Sequence, residues 1–178
     1  MNITSYMPVK VVCGKSCVKV NSALFSQFGK TCLIVTGGNS AKKSGALSDV
    51  TEALKNESIL YEIFDEITEN PYTADCHRAG KKAREIHADF IIGIGGGSPL
   101  DASKAVAIYA SNPELTPVDI YSMTHKKRPL PLVLVGTTSG TGSEVTGVSV
   151  LTNSENNMKK SISGPVIHVF HSAIIHTQ

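Results

Sequence analysis

Short apolar segments alternate with segments of helical length along this chain of 178 residues. The apolar segments have the length of single strands and span residues 31–36, 60–64, 90–94 and 132–135. Strands separated by helices are typical of a parallel sheet covered by helices on both faces. The pattern therefore predicts an α/β fold with a Rossmann-like, doubly wound and mostly parallel sheet.

The polar-apolar periodicity also places the helices. Leu47, Val50 and Leu54 recur at spacings of three and four, which predicts one apolar stripe on a helix over residues 40–55. Further helices are predicted over residues 74–87 and 98–110, the latter with Asp101 in its first turn, where the helix dipole favours a carboxylate.

The N-terminal segment is short and interrupted by glycine. Residues 9–13 read Val-Lys-Val-Val-Cys and are rich in β-branched valine, Gly14 follows, and Lys19 and Val20 lie a few residues further on. This pattern predicts either a small N-terminal β hairpin or an edge element of the sheet.

A glycine-rich loop follows the strand predicted over residues 90–94. Gly95, Gly96, Gly97 and Ser98 lead from this strand directly into a helical segment. Glycines allow backbone N–H groups to approach an anion closely, and the helix that follows turns its positive end toward the same charge. The loop predicts a cradle for the pyrophosphate of a nucleotide, although it lacks the third glycine of the usual dinucleotide fingerprint.

A second polar loop follows the next strand. Residues 137–143 read Thr-Thr-Ser-Gly-Thr-Gly-Ser and precede a β-branched run. Ligands of open parallel sheets bind outside the carboxyl ends of the strands, so both loops are expected to face one crevice. The alternative is that residues 137–143 form an ordinary turn.

The overall composition excludes several classes of protein. Seventeen basic and 15 acidic residues give a net charge of +2, which indicates neither a nucleic-acid-binding surface nor an acidic tail. No apolar run approaches the ~20 residues of a membrane span, and the first residues lack the pattern of a signal peptide. The four cysteines form no C-x-x-C pair, so we expect free thiols and a cytoplasmic protein.

The two loops together resemble those of the iron-dependent (group III) alcohol dehydrogenases. The resemblance is carried by Gly95-Gly96-Gly97-Ser98-x-x-Asp101-x-x-Lys104 and by the run from Thr137 to Glu144, and it extends over nearly the whole chain. It implies an oxidoreductase with an N-terminal dinucleotide-binding domain, here residues 1–178, and a helical metal-binding domain that we expect to be absent from this chain. The substrates implied are small alcohols or aldehydes.

The resemblance also implies roles for individual residues. Gly96, Gly97 and Ser98 would hold the pyrophosphate, with Asp101 near the nicotinamide side. Thr137 and Thr138 would line the adenine and ribose pocket, and Thr141 would stand near the phosphates or nicotinamide. Asn70 and Lys159 would contact the cofactor from flanking loops, Lys160 being an equal match for Lys159. A family asparagine is replaced here by Val148.

The turn after the first predicted parallel strand bears on the choice of cofactor. It contains Gly37, Gly38, Asn39 and Ser40, and Lys42 and Lys43 follow. Members of the family that prefer NAD tend to carry an aspartate at the position of Gly38, where a carboxylate binds the ribose 2′-OH and repels a 2′-phosphate. We therefore expect NADP to be preferred, although NAD remains possible. The alternative is that Gly37 and Gly38 only form a tight turn and that both cofactors bind.

The catalytic residues and metal ligands of this family cannot be assigned to residues of this chain. In this family a divalent metal such as Fe²⁺ polarises the substrate oxygen, and an aspartate and three histidines of the helical domain bind it. Because those ligands belong to the helical domain, no catalytic residue and no metal ligand is assigned here. His168, His171 and His176 suggest an alternative metal site, but they lie on an apolar, strand-like segment, where the spacing of three between His168 and His171 places side chains on opposite faces.

Three hypotheses follow. The first is a dehydrogenase represented by its cofactor domain, and the second is an inactive fragment that only binds nucleotide. The third is a related glycerol or sugar-phosphate enzyme, against which the run from Thr137 to Glu144 argues. The resemblance further implies homodimers formed through residues 9–13, whereas no nucleic acid or membrane is expected as a partner.

Overall fold

The computed structural model describes residues 9–122, 126–164 and 171–177, the last of these by their backbone. Its strands, in chain order, are β1 (Lys10–Lys15), β2 (Thr31–Thr36), β3 (Leu60–Phe64), β4 (Phe90–Gly95), β5 (Leu132–Gly136), β6 (Val148–Thr152), β7 (Lys159–Ser163) and β8 (His171–Thr177). Six of them form one sheet in the order β1-β8-β5-β4-β2-β3 with every pair parallel. Strands β6 and β7 form a separate antiparallel hairpin.

The helices follow the alternation that the sequence predicts. They are α1 (Cys17–Val20), α2 (Ser40–Lys43), α3 (Ala46–Asn56), α4 (Thr73–Glu85) and α5 (Gly97–Ser111), with 3₁₀ turns at Ser22–Gln27 and Asp119–Ser122. The α/β, Rossmann-like and mostly parallel fold is thereby confirmed. In the part of the chain that is described, no helix is long and apolar enough to cross a bilayer.

The helix predicted over residues 40–55 is divided in two. Gly45 has a φ of +75°, which is a left-handed conformation that ends α2 and precedes α3. Leu47, Val50 and Leu54 are buried on one face of α3, as their spacing indicates. The glycine explains why one periodic segment becomes two helices.

The N-terminal segment forms the edge element rather than the hairpin. Strand β1 pairs in parallel with β8 alone, while Lys19 and Val20 lie in helix α1. Val18 is fully buried, and Lys19 forms ion pairs with Asp49 and Glu52 of α3 at 3.3 and 2.8 Å. Packing against α3 therefore holds this segment as a helix and corrects the prediction of an N-terminal hairpin; the antiparallel hairpin of the fold is β6–β7.

Alternate residues of the central strands pack on opposite faces of the sheet. On one face Leu33, Val35 and Ile91 join helices α4 and α5, and on the other Ile34 and Ile92 join α1 and α3. Helix α5 is buried along nearly its whole length because sheet, α4 and β6 surround it. This helix is the rigid element from which the glycine-rich loop extends.

None of the four cysteines, all of which are described by the structure, forms a disulfide bond. Cys17, Cys32 and Cys76 are buried in the core, and Cys13 is exposed on β1. Burial raises the pKa of Cys32 to about 12, with a smaller contribution from the charge of Asp89. The buried thiols therefore pack as small apolar side chains.

Helices α4 and α5 approach closely at Gly80. A Cβ at this position would lie 2.5 Å from Cβ of Tyr109 and 3.2 Å from the backbone nitrogen of Ala110. Tyr109 cannot move away freely, because its hydroxyl donates to the carbonyl of Pro117 at 2.6 Å and its carbonyl accepts from Arg84 at 2.6 Å. The two helices thus pack at a distance that only glycine permits.

We predict that Gly80→Ala lowers the free energy of unfolding by about 1–3 kcal/mol, because the added methyl group overpacks the helix contact. Helix propensity alone predicts the opposite effect, an increase of about 1 kcal/mol in the free energy of unfolding, because alanine favours a helix more than glycine does. Urea denaturation followed by circular dichroism separates the two, with Lys81→Ala on the exposed face of α4 as the control. Stabilisation of the Gly80→Ala variant would contradict the close packing.

Candidate functional site

The strand order creates a crevice between β2 and β4. From β2 the chain proceeds outward to β3, whereas from β4 it proceeds in the opposite direction to β5. At such a switch point the loops beyond the carboxyl ends of the strands diverge and leave room for a ligand. The turn after β2, the glycine-rich loop after β4 and the polar loop after β5 all lie at this edge.

Two adjoining cavities occupy this edge. The larger, of about 650 Å³, is bounded by the turn after β2, by the segment after β3, by Gly96–Pro99 and by Thr138. The smaller, of about 200 Å³, is bounded by Asn70, Pro71, Asp101 and Lys159 together with part of β6. We call them the large cleft and the small cleft. Gly97 and Ser98 line both, so the start of α5 is the floor where they meet.

The glycine-rich loop has a conformation that requires small residues. Gly95 has a φ of +144°, and a Cβ there would lie 2.6 Å from Cγ of Pro99. Cβ atoms at Gly96 and Gly97 would lie 3.1 Å from Oγ1 of Thr138 and 3.3 Å from Cγ2 of Thr141. Without side chains these residues pack closely on Pro99 and on the polar loop after β5, and Gly96 and Gly97 line the large cleft with backbone atoms.

The polar loop after β5 packs directly on the glycine-rich loop. The N–H of Thr137 donates to the carbonyl of Gly95 at 2.9 Å, and Thr138 and Thr141 lie where side chains at Gly96 and Gly97 would point. The expected convergence of the two loops on one crevice is confirmed. Thr138 lines the large cleft. The Oγ1 atom of Thr137 is buried and lacks a hydrogen-bond partner among the described residues.

Helix α5 begins at the cleft floor without a side-chain cap. Its N-cap residue is Gly96, and among the described residues no side chain accepts a hydrogen bond from the first N–H groups. Unpaired N–H groups at a helix start, together with the positive end of the helix dipole, attract an anion. The first turn carries no acidic residue, and Asp101 lies one turn further along, which corrects its predicted place in the first turn.

Asp101 borders the small cleft, and each oxygen of its carboxylate accepts a hydrogen bond from the protein. Oδ1 accepts from Nζ of Lys104 at 3.1 Å, and Oδ2 accepts from the N–H of Val150 at 2.9 Å. Nζ of Lys104 also donates to the carbonyl of Val148, and the hydroxyl of Ser149 donates to the carbonyl of Asp101 at 2.8 Å. Three of these four hydrogen bonds join β6 to α5, and the fourth, from Lys104 to Asp101, lies within α5.

Lys104 carries its charge in the interior. Its side chain is 0 % exposed, against 11 % for that of Asp101. Burial lowers the pKa of Lys104, whereas the neighbouring charges of Asp101 and Glu144 act in the opposite direction. A buried cation of this kind requires its carboxylate partner, since leaving either group unpaired is costly.

The β6–β7 hairpin brings a lysine to the small cleft. Thr152 donates from its N–H to the carbonyl of Pro71 at 2.8 Å and from its hydroxyl to that of Asn70 at 3.2 Å. Lys159 stands opposite Thr152 in the hairpin and lines the small cleft. Of the two lysines that the resemblance left open, Lys160 lies with its ammonium 5.2 Å from the ring centre of Tyr121, so Lys159 is the one at the cleft.

The turn after β2 is held against the segment that follows β3. A Cβ at Gly37 would lie 2.0 Å from the carbonyl oxygen of Ile67, and Gly37 pairs with Glu66 in an isolated bridge. The predicted residues Gly37, Gly38, Asn39 and Ser40 all line the large cleft. Gly38 has a φ of +53°, which favours glycine.

Sequence reasoning missed three carboxylates of the large cleft. Asp65, Glu66 and Glu69 line it beside the turn after β2. Asp65 pairs with Lys42 at 3.4 Å and Glu66 with Arg78 at 2.6 Å. Acidic residues at the carboxyl end of a strand next to β2 were the signal that could have found them.

The described residues do not offer a metal centre. No cluster of three or more histidine, cysteine or acidic side chains with metal-binding geometry occurs among them. His77 stacks edge-on against Tyr109 at 5.3 Å, and burial is the main cause of its lowered pKa. Of the three C-terminal histidines, His168 lies outside the described residues, and His171 and His176 belong to β8, which is described by its backbone.

Comparison with known proteins gives one consistent result. Residues 8–175 match the family model of the iron-containing alcohol dehydrogenases. A probable NADH-dependent butanol dehydrogenase of Bacillus subtilis is 34% identical over 168 residues, which are 94% of this chain and 43% of that protein. An NADPH-dependent butanol dehydrogenase of Clostridium saccharobutylicum is 32% identical over 134 residues, or 74% of this chain and 34% of that protein.

A solved structure agrees. The crystal structure of an iron-containing alcohol dehydrogenase from Thermotoga maritima superposes with a TM-score of 0.85 at 39% identity, covering 96% of this chain and 46% of that protein. This chain therefore spans less than half the length of these relatives.

We predict that Gly97→Val weakens anion binding at the cleft floor, because a branched side chain at this position would press on Thr141 and Ser143 of the polar loop and displace the floor. Isothermal titration calorimetry with inorganic pyrophosphate is expected to show at least a tenfold loss of affinity, which is about 1.4 kcal/mol. Ser139→Val, an exposed position of the polar loop outside both clefts, serves as the matched control. Unchanged binding by the Gly97→Val variant would show that the anion binds elsewhere.

Proposed function

Because this chain belongs to the iron-containing alcohol dehydrogenase family, we propose that it forms the nucleotide-binding part of an NAD(P)-dependent oxidoreductase. The reaction proposed is hydride transfer between the nicotinamide of the cofactor and a small alcohol or aldehyde. The observation that supports it best is the floor at Gly97 and Ser98, which joins two clefts of unequal size at the start of a helix.

A dinucleotide matches this arrangement in shape and charge. Its pyrophosphate would lie over Gly96, Gly97 and Ser98, where the backbone is uncovered and the helix is electropositive. The large cleft has the volume for the adenosine half, with Thr138 and the turn after β2 on its walls. The small cleft would then receive the part of the cofactor nearer to the nicotinamide, beside Asn70 and Lys159.

We propose that the other residues predicted to contact the cofactor act on it indirectly. Gly95, Thr137 and Thr141 border neither cleft directly, but they shape the two loops that do. Asp101 borders the small cleft with its carboxylate turned to Lys104 and Val150. We therefore assign to these four residues the task of holding the loops in place.

The described residues supply no site for the metal that the family name implies. None of their side chains forms a cluster suited to an ion. We therefore assign no metal ligand among them. Their proposed part in the reaction is to bind and orient the cofactor.

A second function is also open, in which the chain by itself binds nucleotide without turnover. It is favoured by the two clefts, whose described lining residues are suited to binding a nucleotide. An alcohol oxidation assay supplemented with Fe²⁺ separates the two functions. Turnover supports the dehydrogenase, and nucleotide binding without turnover supports the binding function.

We propose that NADP is preferred over NAD. At Gly38 no carboxylate stands in the turn to repel a 2′-phosphate, and Lys42 in the following turn of helix provides a positive charge. Asp65 opposes this preference, because it pairs with Lys42 and lines the same cleft. The relatives named above include one NADH-dependent and one NADPH-dependent enzyme.

Titration of the wild-type chain with NADPH and NADH, followed by nicotinamide fluorescence, is expected to show binding of both and tighter binding of NADPH. Gly38→Asp is expected to weaken NADPH at least tenfold relative to NADH, since it places a carboxylate beside the 2′-phosphate. Gly45→Asn, at the exit of α2 and outside the clefts, is the control. Tighter binding of NADH by the wild type would contradict the preference, and binding of neither would contradict the proposed function.

We also propose that two chains associate through β1. Within the described residues this strand pairs with β8 on one side only, and Val11 on it is 40% exposed. An unpaired strand edge is a template for pairing with a second copy. Sedimentation velocity is expected to show a dimer that Val11→Lys weakens; a monomer at all concentrations would contradict this proposal.

A further inference from the structure

A carboxylate beside the proposed phosphate site poses an electrostatic problem. Asp101 lines the small cleft together with Gly97 and Ser98, where an anion is expected. An unpaired carboxylate lining the same cleft would repel a pyrophosphate and offset the attraction between this anion and the helix N-terminus. The structure resolves this conflict, because one carboxylate oxygen accepts a hydrogen bond from Lys104 and the other accepts one from the N–H of Val150.

Lys104 itself does not reach the clefts. Its side chain is 0 % exposed, and it lines neither cavity. Its ammonium contacts Asp101 and the carbonyl of Val148 instead. Any effect of Lys104 on a ligand must therefore act through Asp101 and through β6.

The other charged or titratable groups around Asp101 come from three elements. Cys76 of α4 has a pKa raised mainly by burial, so it stays neutral. Lys159 of β7 shares the small cleft with Asp101, and Glu144 of the loop after β5 lies close enough to influence Lys104. Within the described residues, none of these three groups makes an ion pair with Asp101, whereas Lys104 does.

We propose that Lys104 is a positioning residue for cofactor binding. It neutralises Asp101 and, with it, fixes β6 and the hairpin that carries Lys159, so that the pyrophosphate of a dinucleotide meets a cation instead of a carboxylate. This inference rests on the proposed function, since the anion it concerns is the phosphate of the cofactor.

Removal of Lys104 converts Asp101 into an unpaired carboxylate in a largely buried position. Burial without a compensating cation raises the pKa of a carboxyl group. In Lys104→Met the affinity for a phosphate anion is therefore expected to fall as the pH rises through that raised pKa. In the wild type the ion pair keeps Asp101 compensated, so the affinity is expected to be nearly independent of pH.

The probe for this test is NADH, whose pyrophosphate does not titrate between pH 6.0 and pH 8.5. Lys104→Met is expected to bind NADH about tenfold more weakly than the wild type at pH 8.5 and to recover most of this loss at pH 6.0. The double variant Asp101→Asn, Lys104→Met removes both charges. It is expected to regain most of the lost affinity and to show a flat pH profile.

Lys81→Met provides the matched control, since Lys81 is an exposed lysine of α4 that pairs with Glu85 and lines neither cleft. It is expected to leave affinity and pH profile unchanged. A structural role of Lys104 alone would weaken NADH equally at all pH values. That result, or an unchanged affinity of Lys104→Met, overturns the inference.

If Lys104→Met does not fold, the double variant tests the proposed role of Lys104. A folded double variant that binds NADH nearly as well as the wild type supports the inference, and one that has lost binding overturns it, because the affinity has not returned after the repelling carboxylate was removed. ADP-ribose, which has the same pyrophosphate without nicotinamide, separates this inference from the proposed function. If the wild type binds ADP-ribose but not NADH, the variants are compared with ADP-ribose and the proposed function alone fails; if it binds neither, both fail.

Discussion

The ion pair between Asp101 and Lys104 is the interaction on which the geometry of the site depends. It lies inside helix α5, and its two side chains bind the backbone of β6 at Val148 and Val150. Replacing such a pair by apolar residues is often neutral for stability, whereas removing one partner is costly. The pair therefore matters here less for its net stabilisation than for the relative position of α5 and the hairpin.

This position links the fold to the clefts. The parallel sheet brings the ends of β2, β4 and β5 to one edge, and the change of direction between β2 and β4 opens the large cleft. A parallel sheet alone would leave the other side of the α5 N-terminus uncovered. The hairpin closes that side and, with the Asn70–Pro71 segment, forms the small cleft. The two clefts thus meet at the uncapped start of α5, where the attraction for an anion is strongest.

Local patterns were sufficient to predict the central strands and helices. The apolar runs that became β2 to β5 are bounded by polar and glycine residues, and the periodicity of α3 is visible in three leucine and valine positions. The glycine-rich and threonine-rich loops were found by composition, and the parallel topology explained why they converge. These features depend on residues that are close in sequence.

The remainder depends on contacts between distant residues. The partners of Asp101 in β6 lie more than 40 positions away, so the sequence alone presented its carboxylate as available to a ligand. Likewise, the helix at Lys19 is held by Asp49 and Glu52, and Asp65 reaches the large cleft only because β3 pairs with β2. Periodicity carries no information on such pairings.

A crystal structure of the wild-type chain with bound NADH tests the central claim most directly. The account predicts that the pyrophosphate lies over Gly96–Ser98, that Lys159 faces it, and that Asp101 keeps its bonds to Lys104 and to the N–H of Val150. An Asp101 carboxylate that leaves Lys104 to bind the cofactor, or a pyrophosphate bound away from the start of α5, would contradict it.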